Sequence, residues 1–311
     1  MKIEFLKVFL NKIYDFFDFK GQKLLNKNIN VYDLKKNKRC FIIATGTSLM
    51  EVDLSLLKNE FKLGLGFGFL HDQIDKDFYD GYVLLDKFLN NNKNISFPKE
   101  LNAKNMDDQA NKMYSYISNM NIPFLFINRD NYSFVKNLFP DMLNSAYFFK
   151  CNSSEQINIT NTNLLKRFYT YPSTLITSIQ IALKMGFKEI YLLGAGYTYV
   201  PRNLYHFYDG FIQKNSNDYE NALLKANEFL KERIKANPNK DLKLVRLFKN
   251  NSNYYSLFSQ DVSIDDPHYQ AHAQIKSLAK SMDSKIINVV PEGFESKIYD
   301  SIKWSKLKKS L

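Results

Sequence analysis

The sequence predicts an α/β protein with a mostly parallel sheet and helices on both faces, and three observations predict it. Short apolar runs of strand type recur along the chain: Arg39 to Ala44, Tyr82 to Asp86, Pro123 to Ile127, Glu189 to Leu193 and Ser284 to Val290. An amphipathic helix precedes the fourth of them. Pro172 with the hydroxyls of Ser173 and Thr174 marks its start, and Leu175, Ile176, Ile179, Ala182 and Leu183 form a stripe at three- and four-residue spacing. Finally, strands open into small-residue turns, Thr45-Gly46-Thr47-Ser48 after the first and Gly194-Ala195-Gly196 after the fourth. Helix, buried strand and glycine loop in that order are half of a βαβ layer, and ligands of such open sheets gather beyond the carboxyl ends of the strands.

In chain order, residues 1–37 are expected to form an amphipathic N-terminal helical segment. Residues 38–296 are expected to form one Rossmann-like nucleotide-binding domain, and 297–311 a basic amphipathic C-terminal tail. Backbone amides freed at the turn Thr45 to Ser48 suit a phosphate, although many α/β domains turn this way without one. Gly64, Gly66 and Gly68 give GxGxG, not the GxGxxG dinucleotide fingerprint, and read as a second strand that needs close backbone approach. The polar stretch 88–122 is predicted to be helical. Asp75-Lys76-Asp77 matches a DxD metal motif but reads as a solvated helix start.

The segment from about 200 to 268 is rich in Asn, Tyr and Lys and carries one helix-like block, Tyr219 to Lys235. With little continuous core pattern, it reads as an inserted lid. Asp265 to His272 follows, beginning in a loop at Pro267, and then an amphipathic helix from Ile275 to Met282.

A chain of 311 residues with 45% hydrophobic and 24% charged residues can bury a substantial core. Cys40 and Cys151 have neither CxxC nor metal-ligand spacing and fit a reducing cytoplasm. No signal peptide is evident, and no apolar run has the length of a membrane span. The net charge of +11 asks for an acidic partner. Dispersed lysines without a nucleic-acid-binding motif argue against DNA or RNA. Both termini offer another partner. Ile3, Phe5, Phe9, Ile13 and Phe16 alternate with lysines at one end, and Ile298, Ile302, Trp304 and Leu307 do so at the other. Such ends either lie on an anionic membrane surface or pack onto the domain or a subunit interface.

Three of the four histidines, His206, His268 and His272, flank the lid. Histidine is the side chain best suited to taking a proton near neutral pH. The i, i+4 pair His268/His272 also has zinc-binding spacing, but no HExxH glutamate or third ligand accompanies it. Simple bridging of lid elements is the other reading. The nearby Tyr197, Tyr199, Tyr205 and Tyr208 bring the imidazoles to the same expected rim.

Three blocks, IIATGTSLMEVDLSLL (42–57), ALKMGFKEIYLLGAGY (182–197) and HYQAH (268–272), resemble the bacterial CMP-sialic-acid-type sialyltransferases and the related DUF115, motility-accessory-factor group. The resemblance implies a GT-A-like variant of the Rossmann-like fold. It also implies a metal-independent, inverting transfer of a sugar, such as sialic acid or another nonulosonate, from a nucleotide-activated donor. In that family the second histidine of His-Tyr-x-x-His is the general base, which carries over to His272. The tyrosines assisting departure of the nucleotide phosphate carry over to Tyr199 and Tyr205. The donor-binding set implied is Thr45, Gly46, Thr47, Ser48, Ser173, Thr174, Gly194 and Tyr269. No cofactor or metal is implied. The partners implied are a nucleotide-sugar donor, CMP-linked in the family's manner, and a glycan or lipid-linked acceptor; the two amphipathic ends give the inner face of the cytoplasmic membrane as the expected location, and a homo-oligomer is compatible. This chain departs from the family pattern at three places. Thr45-Gly46-Thr47-Ser48 stands for Asn-Gly-Pro-Ser, Gly66-Phe67-Gly68 for a strand-end asparagine, and Tyr171 for an arginine. The alternatives are a pterin diphosphokinase of the DUF115 group, needing Mg²⁺ and an acidic pair such as Asp75/Asp77 or Asp265/Asp266, and a non-catalytic carbohydrate-binding surface-assembly factor.

Overall fold

In the computed structural model, the residues described are 19–36, 38–46, 48–49, 52–85, 106–153, 159, 162–195, 242–246, 255–259, 267–290, 296 and 298–311. Nine strands form one sheet: β1 (Arg39–Ile43), β2 (Phe61–Leu65), β3 (Gly81–Leu84), β4 (Phe124–Asn128), β5 (Ala146–Ser153), β6 (Arg167–Thr170), β7 (Glu189–Leu193), β10 (Lys285–Val290) and β11 (Asp300–Lys303). The antiparallel pair β8 (Leu242–Arg246) and β9 (Tyr255–Ser259) stands as a separate two-stranded sheet. The spatial order of the large sheet is β11-β10-β7-β1-β2-β3-β4-β5-β6, and every neighbouring pair is parallel. This is the α/β, Rossmann-like architecture the sequence predicts.

Burial on both faces explains why β1 and β7 are apolar beyond their first residues, Arg39 and Glu189. Cys40, Ile42 and Ala44 of the β1 segment enter one core layer, with Leu192, Ile176, Ile179 and Ile275. Phe41 and Ile43 enter the opposite layer, with Leu193, Ala110, Met113 and Val135. The period-2 alternation of a strand thus feeds two helical layers at once. The first layer holds helices α4 (Thr174–Lys184) and α5 (Pro267–Ser281), which pack on each other; the second holds α2 (Met106–Ser118) and α3 (Tyr132–Leu138).

The chain begins the sheet near its centre at β1, builds outward to β6, and then sends α4 back across β1 to β3 to place β7 on the other side of β1. Strand order therefore reverses between β1 and β7. That is the topological switch point, where open α/β sheets form a crevice at their carboxyl edge.

Several elements differ from expectation. The strand read in LGLGFGF ends at Leu65, and Gly64 admits rings rather than backbone: a Cβ there would meet Tyr82 at 2.4 Å and Tyr79 at 2.7 Å. Asp75-Lys76-Asp77 is a turn and not a helix start, with the Asp77 amide donating to Asp75 Oδ1 at 3.0 Å. Pro267 opens α5 instead of lying in a loop, a placement that suits proline because the first helical N–H needs no partner. The helix-like block 219–235 and most of the lid lie outside the described residues.

The described parts of both termini pack on the domain. In α1 (Phe19–Asn26) and the following 3₁₀ turn, Leu25 is buried and Asn28 Nδ2 donates to the carbonyls of Phe148 and Leu164, both at 2.7 Å. At the other end β11 extends the sheet, and α6 (Trp304–Leu307) puts Leu307 into the second core layer at 1% exposure. Residues 298–311 thus include an edge strand and the short helix that follows it. Leu307→Ala should lower unfolding free energy by about 2–4 kcal/mol, measured by urea denaturation; a loss near zero would mean that this end contributes nothing to the fold. Among the described residues, no helix is long and apolar enough to cross a membrane.

Candidate active site

The switch point is closed by two loops whose backbones touch. Beyond the last β1–β7 pair, Ile43↔Leu193, the Ala44 amide donates to Leu193 O at 2.9 Å and the Gly46 amide to Gly194 O at 2.8 Å. Gly194 takes a φ of +66°, in the left-handed region that glycine adopts without a steric penalty. A Cβ on Gly46 would lie 2.3 Å from Gly194 O, and one on Gly194 would lie 2.8 Å from Ala44 O. Only a residue without a side chain fits at either position. Thr45, between them, is buried, and its Cγ2 approaches the α-carbon substituent position of Gly66 to 3.8 Å.

Of the residues expected at the site, Thr45, Gly46 and Gly194 meet at this crossing, and Ser48 follows it in a half-buried turn. Ser173 is the residue before α4 and Thr174 its first residue, as the hydroxyl pair suggested. Ser173 does not cap the helix through its side chain; its carbonyl accepts from Thr177 Oγ1 at 3.2 Å, and Thr170 and Thr177 share a hydroxyl hydrogen bond of 3.0 Å. This hydroxyl cluster ties the end of β6 to α4. Tyr269 lies in the first turn of α5, half-buried against the first core layer. Thr47, Tyr199 and Tyr205 lie outside the described residues, as do the side chain of His268 and all of His206.

His272 sits in the second turn of α5 and is 1% exposed. Its Nδ1 is 2.6 Å from the hydroxyl of Tyr299, and the two rings meet edge-on with centroids 5.5 Å apart. The same hydroxyl donates to the backbone carbonyl of His272 at 3.4 Å. Burial pushes the Tyr299 phenol well above its ordinary value, so it stays protonated through the neutral range. One arrangement satisfies both contacts: Nδ1–H donates to the phenol oxygen, whose own proton goes to the carbonyl. In that arrangement the ring proton shared with Tyr299 is on Nδ1.

Sequence reasoning missed Tyr299. It lies 27 residues beyond its partner, in front of an edge strand, and no motif links the two. The turn at 75–77 precedes β3 and bonds to the segment before β4, the Asn121 side chain donating to Asp77 and the Asn121 backbone amide to Lys76 O. It therefore belongs to the amino edge of the sheet, opposite the crossing. Among the described residues, no three His, Cys, Asp or Glu side chains group as metal ligands.

No protein-family model matches the chain, and no curated protein matches it. Two solved structures are similar. One is the MAf glycosyltransferase from Magnetospirillum magneticum AMB-1, at a TM-score of 0.44 and 10% identity over 91% of this chain and 38% of that one. The other is the sialyltransferase CstII from Campylobacter jejuni, solved in complex with a substrate analogue, cytidine-5'-monophosphate; here the TM-score is 0.32 and the identity 16%, over 64% of this chain and 78% of that one. The chain thus spans well under half the length of the first.

Proposed function

We propose that the chain is a sialyltransferase-like inverting glycosyltransferase that moves a sugar from a nucleotide donor, CMP-linked in the first instance, to a glycan or lipid-linked acceptor. The observation that carries this reading is convergence. The three sequence blocks with family resemblance are far apart in the chain, yet their described residues fall on elements that meet: β1 and its turn, α4 with β7, and the start of α5. β1 pairs with β7, and α4 packs on α5.

In this reading the donor nucleotide lies over the Gly46–Gly194 crossing, where the absence of side chains lets a phosphate approach the backbone. His272 Nε2 takes the proton of the acceptor hydroxyl as that oxygen attacks the anomeric carbon. The bond from anomeric carbon to phosphate oxygen breaks, and its electron pair leaves with the nucleoside monophosphate. Tyr199 and Tyr205 donate hydrogen bonds to the departing phosphate, stabilising the charge that develops there. Tyr299 holds the imidazole in the tautomer this step needs. The lid over 200–268 excludes water, whose attack on the donor competes with transfer.

The test is release of free nucleotide. The full chain, supplied with CMP-, UDP- and GDP-sugars and a chelator, should liberate CMP from its donor, faster when a glycan acceptor is added. A chain that neither turns over any donor nor gains thermal stability from any nucleotide would refute the reading. Turnover that requires Mg²⁺ and transfers a diphosphate would favour the diphosphokinase instead.

A further inference from the structure

One buried side chain beside the crossing has a polar atom without a partner. Asn288 lies on β10, opposite Leu192 of β7 in the sheet register. Strand alternation puts it on the same face as Ile286, which belongs to the α4/α5 core layer, while Val289 enters the other layer. An apolar side chain would suit that position, yet a carboxamide occupies it at 3% exposure. Its Nδ2 reaches the carbonyl of Ala195 at a long 3.4 Å, and its Oδ1 has no hydrogen-bond partner. Ala195 directly follows Gly194, so the amide is bonded to the very loop that crosses β1. Buried acceptors are nearly always satisfied in native proteins, and leaving one unpaired lowers stability. Such a group at a ligand crevice acquires its partner when the ligand arrives.

We propose that Asn288 is a ligand-recognition residue, its Oδ1 accepting a hydrogen bond from an N–H or O–H of the nucleoside bound at the β1–β7–β10 carboxyl edge. This rests on the reading that the site takes a nucleotide and adds the residue that reads its sugar or base. In CMP two kinds of group have the required chemistry, a ribose hydroxyl and the exocyclic base amine, whereas uracil offers a ring N–H in place of the amine; a carboxamide oxygen accepts from any of them.

The experiment measures the affinity of CMP, UMP and 2'-deoxy-CMP by calorimetry, together with melting temperatures, for the full chain and for Asn288→Leu and Asn288→Ala. The Leu variant should fold and melt within a few degrees of the unaltered protein, since it removes an unpaired buried polar atom at the expense of one long hydrogen bond to Ala195. Its CMP affinity should fall about tenfold, the loss of one good hydrogen bond. A preference for CMP over UMP that vanishes in the variant assigns the contact to the base amine; a preference for CMP over its deoxy form that vanishes assigns it to the ribose. Unaltered protein that binds CMP, with variants that bind it equally well, overturns the assignment and leaves the nucleotide reading standing. If the unaltered protein binds none of the three, the assignment falls, and the CMP-linked form of the proposed function falls with it. Failure of both variants to fold also overturns it, because the amide would then be a requirement of the fold.

Discussion

His272→Ala is expected to slow sugar transfer by two or more orders of magnitude, about 3 kcal/mol or more in barrier, within the range of general-base catalysis. The imidazole is fully buried and edge-on to Tyr299, so the substitution also removes packing and lowers stability by about 1–3 kcal/mol whatever its role. The decisive measurement is therefore transfer at a temperature where the variant is folded, set beside its nucleotide affinity. A base acts on the acceptor, so CMP binding should hardly change while turnover collapses. Tyr299→Phe supplies the control: it keeps the ring, deletes the hydroxyl bonded to Nδ1 and should lower the rate less than removal of His272 itself. Folded His272→Ala that transfers at near-normal rate would leave the histidine as a core residue and remove the mechanism proposed for it.

Gly46→Ala should destabilise the protein by about 3 kcal/mol or more, a size reserved for specific structural mechanisms. The added Cβ would lie 2.3 Å from a carbonyl oxygen of the neighbouring loop, a backbone atom that cannot rotate aside. Closely packed interiors relax only partly around such an intrusion. Gly194→Ala meets Ala44 O at 2.8 Å and also places a Cβ in the left-handed region, which adds about 1–2 kcal/mol. Because both substitutions open the same crossing, the double variant should lose less than the sum of the two. Urea unfolding of the three variants measures this; a loss below about 1 kcal/mol in Gly46→Ala would show that the loops part easily.

The elements legible in the sequence are those whose surroundings impose one kind of residue. β1 and β7 are covered on both faces and so are written as unbroken apolar runs; α4 declares its start through Ser173 and Thr174 and its buried side through its stripe. β6 is four residues long with an exposed Tyr169, and β11 is an edge strand with two exposed residues, so neither carries a core signature. β5 is obscured by a buried lysine, Lys150, and by the polar Asn152 and Ser153 at its end. At the site, glycines 46 and 194 could be singled out as turns, but that they touch each other depends on strand order, which local pattern does not contain. Tyr299 and Asn288 were invisible for the same reason. A tyrosine before a lysine-rich tail and an asparagine inside KIINVV acquire meaning only from neighbours contributed by α5 and by the loop after β7.

The reversal of strand order also governs how the chain acquires its fold during synthesis. β1 pairs with β7 from Arg39↔Glu189 onward, so the two switch-point strands are separated by 189 − 39 = 150 positions of sequence. At ribosomal speeds, roughly 5–20 residues per second, β1 waits about 8–30 s for that partner. Through that interval β1 to β6 can assemble in sequence, but Phe41, Ile42 and Ile43 border an open edge that templates pairing with any passing strand. Long-range parallel pairing of this kind is slow and exposed to aggregation. The strand pair at the switch point is thus among the last to close, and the nascent protein is most exposed at that internal edge.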